Sequence, residues 1–354
     1  MTSSTDNSWL HRFAILTAAA TFCLIWLGGL VTSHGAGMAV PDWPTTYGYN
    51  MFFFPISKWV GGIFYEHTHR LVASSVGLLT VILAVWLWLK ESRGWLRWLG
   101  VGALVMVVAQ GVLGGLRVTH MKDVLGVVHG TVAQMFFVLI CAIALVTSRW
   151  WATADSQKLP VYDSRRFRYV FGIVTVLILL QLMLGAAMRH QHAGLAIPDF
   201  PLACGKLWPD MDASAVARYN QARGEVTALN PITSFQVGLQ MAHRIGAVLI
   251  LISVGWVSGM VRRRSRAAVA VSRLSLLWLG LILAQASLGA ATIWTNKAAD
   301  IATAHVAVGA LSLVTGAMLT LVASRGTVLA EAISPAQPAS SVTEVRTNPA
   351  YLNA

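Results

Sequence analysis

Apolar runs close to the length of a bilayer core recur eight times along this chain, each ended by polar or turn-forming residues. They cover residues 13–32, 71–89, 96–116, 124–146, 169–188, 236–260, 274–293 and 301–322. A helix needs about 20 predominantly apolar residues to cross the hydrocarbon region. Backbone groups in lipid find no water, so each run is predicted to be a helix that satisfies its own amides. The first run, 13–31, could pass for the core of a cleaved leader. It is longer than such cores usually are and the same pattern returns along the chain, so it is read as a retained span. Two connections are long, 33–65 and 189–235. Both are rich in Pro, Gly and aromatic residues, which predicts ordered caps. After Ser324 the pattern turns polar with scattered Pro and Ser, which predicts a disordered tail.

Composition turns this pattern into a fold class: an all-α integral membrane protein with eight transmembrane helices. Of 354 residues, 56% are hydrophobic and only 11% are charged, where soluble domains carry roughly 25% charged residues. A net charge of +12 would suit a nucleic-acid partner. The cations alternate between connections and build no single stripe, so they fit anionic membrane lipid and topology instead. The amino terminus, the even-numbered connections and the tail hold 16 Lys and Arg, and the other connections hold 8. By the positive-inside rule both termini are cytoplasmic. Cys23 and Cys141 lie inside apolar runs and read as packing residues, while Cys204 stands alone in a polar loop. There is no CxxC, no cysteine-based zinc spacing and no CxxCH for covalent heme attachment.

The chain is also a repeat. "GGLVTSHGAGMAVPDWP" (28–44) returns as "GAAMRHQHAGLAIPDFP" (185–201) at an offset of 157. "HTHR" (67–70) meets "MAHR" (241–244), "AQGVLG" (109–114) meets "AQASLG" (284–289), and "GVVHG" (126–130) meets "ATAHV" (302–306), at offsets of 174 to 176. The jump places an insertion in the second long connection. The expected organisation is an amino-terminal segment (1–12), a four-helix half (13–148), a linker (149–168), a second half (169–324) and the tail (325–354). Four helices per half preserve direction, so the halves are expected to share an orientation about a pseudo-twofold axis along the membrane normal.

The repeat sorts the histidines. His69 has a counterpart in His243, and His129 in His305, whereas His67 meets Met241 and reads as a loop or interfacial residue. Each pair stands near the outer starts of the second and fourth helices of its half, 60 residues apart in the first half and 62 in the second. Two imidazoles at equal depth on neighbouring helices can take one metal from opposite sides, as a bis-histidine heme requires. A lone membrane histidine is more often an interhelical hydrogen-bonding residue, but two matched pairs are harder to explain that way. Zinc or copper fits less well, because no carboxylate or sulfur ligand repeats beside them. Arg70 and Arg244 follow a histidine in each half and are candidates for heme propionates, with snorkelling to lipid phosphate as the plainer reading. The stretches "GVLGGL" and "ASLGAA" read as close helix packing.

One difference breaks the repeat: Glu66 aligns with Gln240. Glu66 shares a helix side with His69 and stands four residues before Arg70. Beside a heme edge it would be a general base or a stabiliser of developing positive charge. The residues alone leave open an oxidase, a diheme electron carrier and a heme transporter or chaperone.

Taken together, "GGLVTSHGAGMAVPDWP", "EHTHR", "VVHG", "HAGLAIPDFP", "MAHR" and Ala304-His305 resemble the heme A synthase family over residues 9–324. The resemblance implies an eight-helix membrane enzyme that oxidises the C8 methyl of heme O to a formyl group, for use by terminal oxidases. It implies that His69 and His129 flank the substrate heme, that His243 and His305 ligate a heme b cofactor, and that Glu66 is the essential acid. Heme O synthase and oxidase assembly factors are implied partners, and self-association and the electron donor stay open. Some members carry a cysteine pair in an outer loop; this chain has only Cys204 there. The bacterial plasma membrane is the expected location, with the heme sites toward the outer face.

Overall fold

The computed structural model describes residues 8–153, 161–222, 231–264 and 269–333. Its order is α1 (Ser8–Ser33), α2 (Gly61–Lys90), α3 (Gly94–His120), α4 (Asp123–Val146), a short α5 (Arg149–Thr153), α6 (Val161–His190), α7 (Ala213–Ala222), α8 (Ser234–Arg264), α9 (Val269–Trp294) and α10 (Ala299–Ile333). Eight of these are long and apolar enough to cross a membrane, and among the described residues no strand forms.

Each predicted span is present, but the helices outrun the apolar runs. The difference that bears on the polar cluster is in α2, which begins at Gly61, ten residues before the apolar run at Leu71. Gly61 takes a left-handed φ of 54° that turns the chain into the helix. A Cβ on Gly62 would lie 2.9 Å from the Ala39 Cβ, so this first turn is pressed against the first long loop. The polar cluster 66–70 therefore lies on a helix packed against protein. That corrects the placement of His67, which is in α2 and fully buried. At the other end of the chain, α10 continues to Ile333. The remainder of the expected tail, 334–354, and the cations Lys158, Arg223, Arg266 and Arg346 lie outside the described residues.

Helices α1 to α4 close into a ring of contacts, as do α6, α8, α9 and α10. The rings meet through α1 against α10, α4 against α6, and α4 against α10. Half of the α10 span is buried, more than of any other, because it touches helices of both rings. The first ring has a core built on Val76, Leu83, Leu87, Leu96, Phe136 and Ile140. The second is built on Phe167, Phe171, Val254, Trp278 and Leu319. The Trp278 Nε1–H, buried in that core, donates to the Ser312 carbonyl at 2.8 Å. The cores thus occupy the ends of the rings away from the two long loops, and the chemistry gathers at the loop ends.

Candidate functional site

Each of the four repeated histidines packs against a glycine of the neighbouring helix. A Cβ on Gly28 of α1 would stand 3.2 Å from Cε1 of His69 on α2. The same contact is 3.3 Å from Gly114 to His129, 3.1 Å from Gly185 to His243, and 3.2 Å from Gly289 to His305. A side chain at any of these glycines would displace the imidazole or the helix. Gly114 and Gly289 lie in the stretches read as close helix packing, and the side chain each one admits is a histidine. Gln110 donates to the His129 carbonyl at 3.1 Å, and Gln181 to the His243 carbonyl at 2.7 Å. Gln285, aligned with Gln110, stands 3.4 Å from Nε2 of His305.

All four Nδ1 atoms are buried without a hydrogen-bond partner, which native interiors rarely tolerate. His243 and His305 stand opposite one another with ring centroids 6.3 Å apart and ring planes inclined by 64°. A histidine nitrogen binds a transition metal at roughly 2 Å, and two imidazoles on opposite sides of one ion need a spacing of this order. Among the described residues no three His, Cys, Asp or Glu side chains gather as a metal cluster. A pair of facing imidazoles suits an iron whose remaining ligands come from a macrocycle. The residues therefore fit a heme.

Above the histidines the two long loops are tied down by matching bonds. In the first half, Oε2 of Glu66 accepts the Val40 N–H at 2.8 Å. In the second, Oε1 of Gln240 accepts the Ile197 N–H at 2.6 Å. Arg70 donates to the carbonyls of Asp42 (2.7 Å), Thr45 (3.0 Å) and Val40 (2.8 Å). Arg244 donates to Asp199 (2.7 Å) and Leu202 (2.8 Å). The Asp42 carboxylate accepts the N–H groups of Tyr47 and Gly48, and Asp199 those of Cys204 and Gly205. Burial alone would raise the pKa of Asp42, but hydrogen bonds from Gly48, Thr45 and Tyr47 outweigh it and hold the carboxyl below its usual range. The halves part company at Glu66, whose Oε1 also takes Nη2 of Arg70 at 2.7 Å in an ion pair that is nearly excluded from solvent. Gln240 instead donates back to the Gly194 and Ile197 carbonyls.

A family model described as "Cytochrome oxidase assembly protein" matches residues 11–317. The chain belongs to the COX15-CtaA family. It is 28% identical over 308 residues to the heme A synthase of Geobacillus kaustophilus, covering 84% of this chain and 86% of that protein. It is 27% identical over 298 residues to the heme A synthase of Shouchella clausii, covering 82% and 88%.

In this COX15-CtaA protein the structure brings together Glu66, Arg70 and the loop, and separately faces His243 with His305. His69 and His129 occupy the matching positions on α2 and α4, each packed on a glycine of the neighbouring helix. Arg70 has both Nη atoms fully engaged, so it anchors the loop and has none free for a propionate. Arg244 spends one N–H of each Nη, and its Nε is buried without a partner. His67 lies in a cage of Phe54 and Trp59, with Nδ1 3.2 Å from Thr46 Oγ1. Cys204 occupies a left-handed turn position (φ 53°), as the aligned Tyr47 does (φ 49°). Its thiol is pushed up by burial and by the charge of Asp199. Sequence reasoning passed over Arg117 and Arg189 because it counted them as topological charges; their alignment with Thr292 and Thr32 is the signal that sets them apart.

Proposed function

We propose that this protein is a heme A synthase, with the chemistry in the first half (13–148) and the cofactor in the second (169–324). The observation that carries this reading is an asymmetry within a repeat. Both halves hold a buried histidine pair beneath a tethered loop, but only one holds a carboxylate where the other has an amide. An electron carrier needs two similar sites and no such acid.

In this reading His69 and His129 hold the heme O substrate, and His243 and His305 hold heme b. Heme b, when bound, supplies an iron centre that passes single electrons. Turning the C8 methyl into a formyl group removes electrons and protons and adds one oxygen atom. Glu66 is the group of the first half able to accept a proton at its carboxylate or to face positive charge developing at the methyl carbon. Arg70 and the Val40 amide fix that carboxylate, so its orientation does not depend on substrate. The loop tethers also shield the site from water, which strengthens charge interactions within it. We place both termini in the cytoplasm and the heme sites toward the outer face. Product would pass to terminal oxidase assembly, and heme O synthase would supply the substrate.

The test is expression with a source of heme O, followed by chromatography of the extracted hemes. Heme A or its hydroxylated precursor is expected. A protein that binds heme b with bis-histidine spectra and forms neither compound is an electron carrier, and the reading fails.

A further inference from the structure

Three partly buried cations gather at the loop end, and among the described residues none has a carboxylate within ion-pair distance. Arg117 closes α3, Arg189 closes α6, and Lys297 lies in the turn between α9 and α10. Arg117 packs on the first loop, where a Cβ on Gly37 would lie 2.6 Å from its Nη2. Arg189 crosses between the halves. Its Nη2 donates to the Gly29 carbonyl of α1 at 2.8 Å and to Ser33 Oγ, which in turn meets Thr303 Oγ1 of α10 at 3.0 Å. Its Nε is buried with no partner. Lys297 is half-buried within reach of the Arg189 charge. Among the described residues, no carboxylate lies within 4.0 Å of any of the three. Asp123, on the first turn of α4, is directed at His190.

Unpaired buried cations are costly, and the usual resolution is an anion that the protein binds. Snorkelling to lipid phosphate does not describe Arg189, which turns away from lipid onto α1. Location narrows the anion further. Gly29, whose carbonyl Arg189 binds, follows the Gly28 that packs on His69, and Thr303, reached through Ser33, stands two residues before His305; Arg117 stands one helical turn after the Gly114 that packs on His129. The cluster therefore borders both histidine pairs, with Glu66 and Asp123 acting on Arg117 only from beyond ion-pair distance. It is not part of the duplicated scaffold, since threonines stand at the positions aligned with both arginines.

We propose that Arg117, Arg189 and Lys297 form a carboxylate-binding floor that receives tetrapyrrole propionates, Arg117 in the first half and Arg189 with Lys297 at the junction with the second. The proposal rests on the heme reading above. It moves the first-half propionate contact from Arg70, whose Nη groups are spent on the loop, to Arg117. Two sources could supply such an anion, a propionate or a lipid phosphate, and the experiment separates them.

The full chain, made in heme-depleted cells and placed in nanodiscs, is titrated with iron protoporphyrin IX and with its dimethyl ester, which lacks the two carboxylates. The wild type should prefer the free acid by ten-fold or more. Arg117→Gln, Arg189→Gln and Lys297→Gln should each shrink that preference while still binding the diester with bis-histidine spectra, which shows that the fold survives. Arg→Lys variants should restore part of it. An unchanged preference in all three variants overturns the proposal. So does a loss of binding that follows the phosphatidylglycerol content of the disc and ignores esterification, because that marks a lipid site. Heme A formation is scored separately: a chain that distinguishes acid from ester but makes no heme A sinks the synthase reading and leaves the floor standing.

Discussion

At Glu66 two roles compete, and the repeat supplies the control that separates them. The carboxylate ties the loop to α2, but Gln240 makes the same tie with an amide. Glu66→Gln should therefore keep the loop and the bound heme b while lowering heme A formation by about 10²–10⁴, the range of a lost general base. Equal turnover in the variant would assign Glu66 to anchoring alone. The glycines beneath the histidines carry a second residue-scale prediction. Gly185→Ala puts a methyl 3.1 Å from Cε1 of His243, a contact the ring has to relieve by rotating. The electron paramagnetic resonance of low-spin heme b should shift, whereas Gly280→Ala, with nothing within 4 Å, should leave the spectrum as in the wild type. The histidine pairs were legible in the sequence because both members of each pair repeat as letters. The glycines repeat too, but glycine is common in membrane helices for many reasons, and only coordinates show which ring each one meets.

Among the elements, the described parts of the two long loops are held by specific side-chain bonds. Asp42 and Asp199 each close a tight turn by accepting two backbone N–H groups. The Asp42 pKa is depressed in the folded state, so its contribution is present above the ordinary carboxylate range and is lost as pH falls through the folded value. Hydrogen exchange of the Tyr47 and Gly48 amides should stay slow at neutral pH and accelerate in strong acid, while Asp42→Asn should make it fast at neutral pH as well. Cys204 fills a turn position equivalent to Tyr47, and burial and Asp199 disfavour its thiolate. Cys204→Ser should therefore leave heme A formation within about two-fold of the wild type in a side-by-side heme extraction, and a collapse of activity would show that the thiol takes part. Hydropathy located every span but misplaced the start of α2, because a search for lipid-facing residues stops where a helix begins to pack against protein. Glu66, His67 and Arg70 look like an interfacial cluster when the loop that covers them is out of view.

For the whole molecule, the question is why a duplicated scaffold should keep its halves unequal. Exchanging the halves exchanges the α1–α10 contact for the α6–α4 contact. A twofold relation between the halves, as the matched motifs lead one to expect, would require both contacts. Onto that scaffold three departures have been added, Glu66, Arg117 and Arg189, and the first two stand in the first ring with the third reaching into it from α6. The second ring, by contrast, keeps an amide at the acid position and holds its facing histidines at a spacing suited to a permanently ligated iron. On the proposed reading, one ring retains a group and the other exchanges one. If so, the four histidines are not interchangeable. His243→Ala and His305→Ala should each remove the low-spin b-type spectrum from the purified protein and stop turnover for want of an electron relay. His69→Ala and His129→Ala should leave that spectrum in place, abolish heme A formation and weaken binding of added heme O. Difference spectra of the four variants, recorded before and after heme O is added, decide the matter. Loss of the resting heme from all four alike would mean that both rings hold permanent cofactors, and the division of labour would fall with the acid's assigned role.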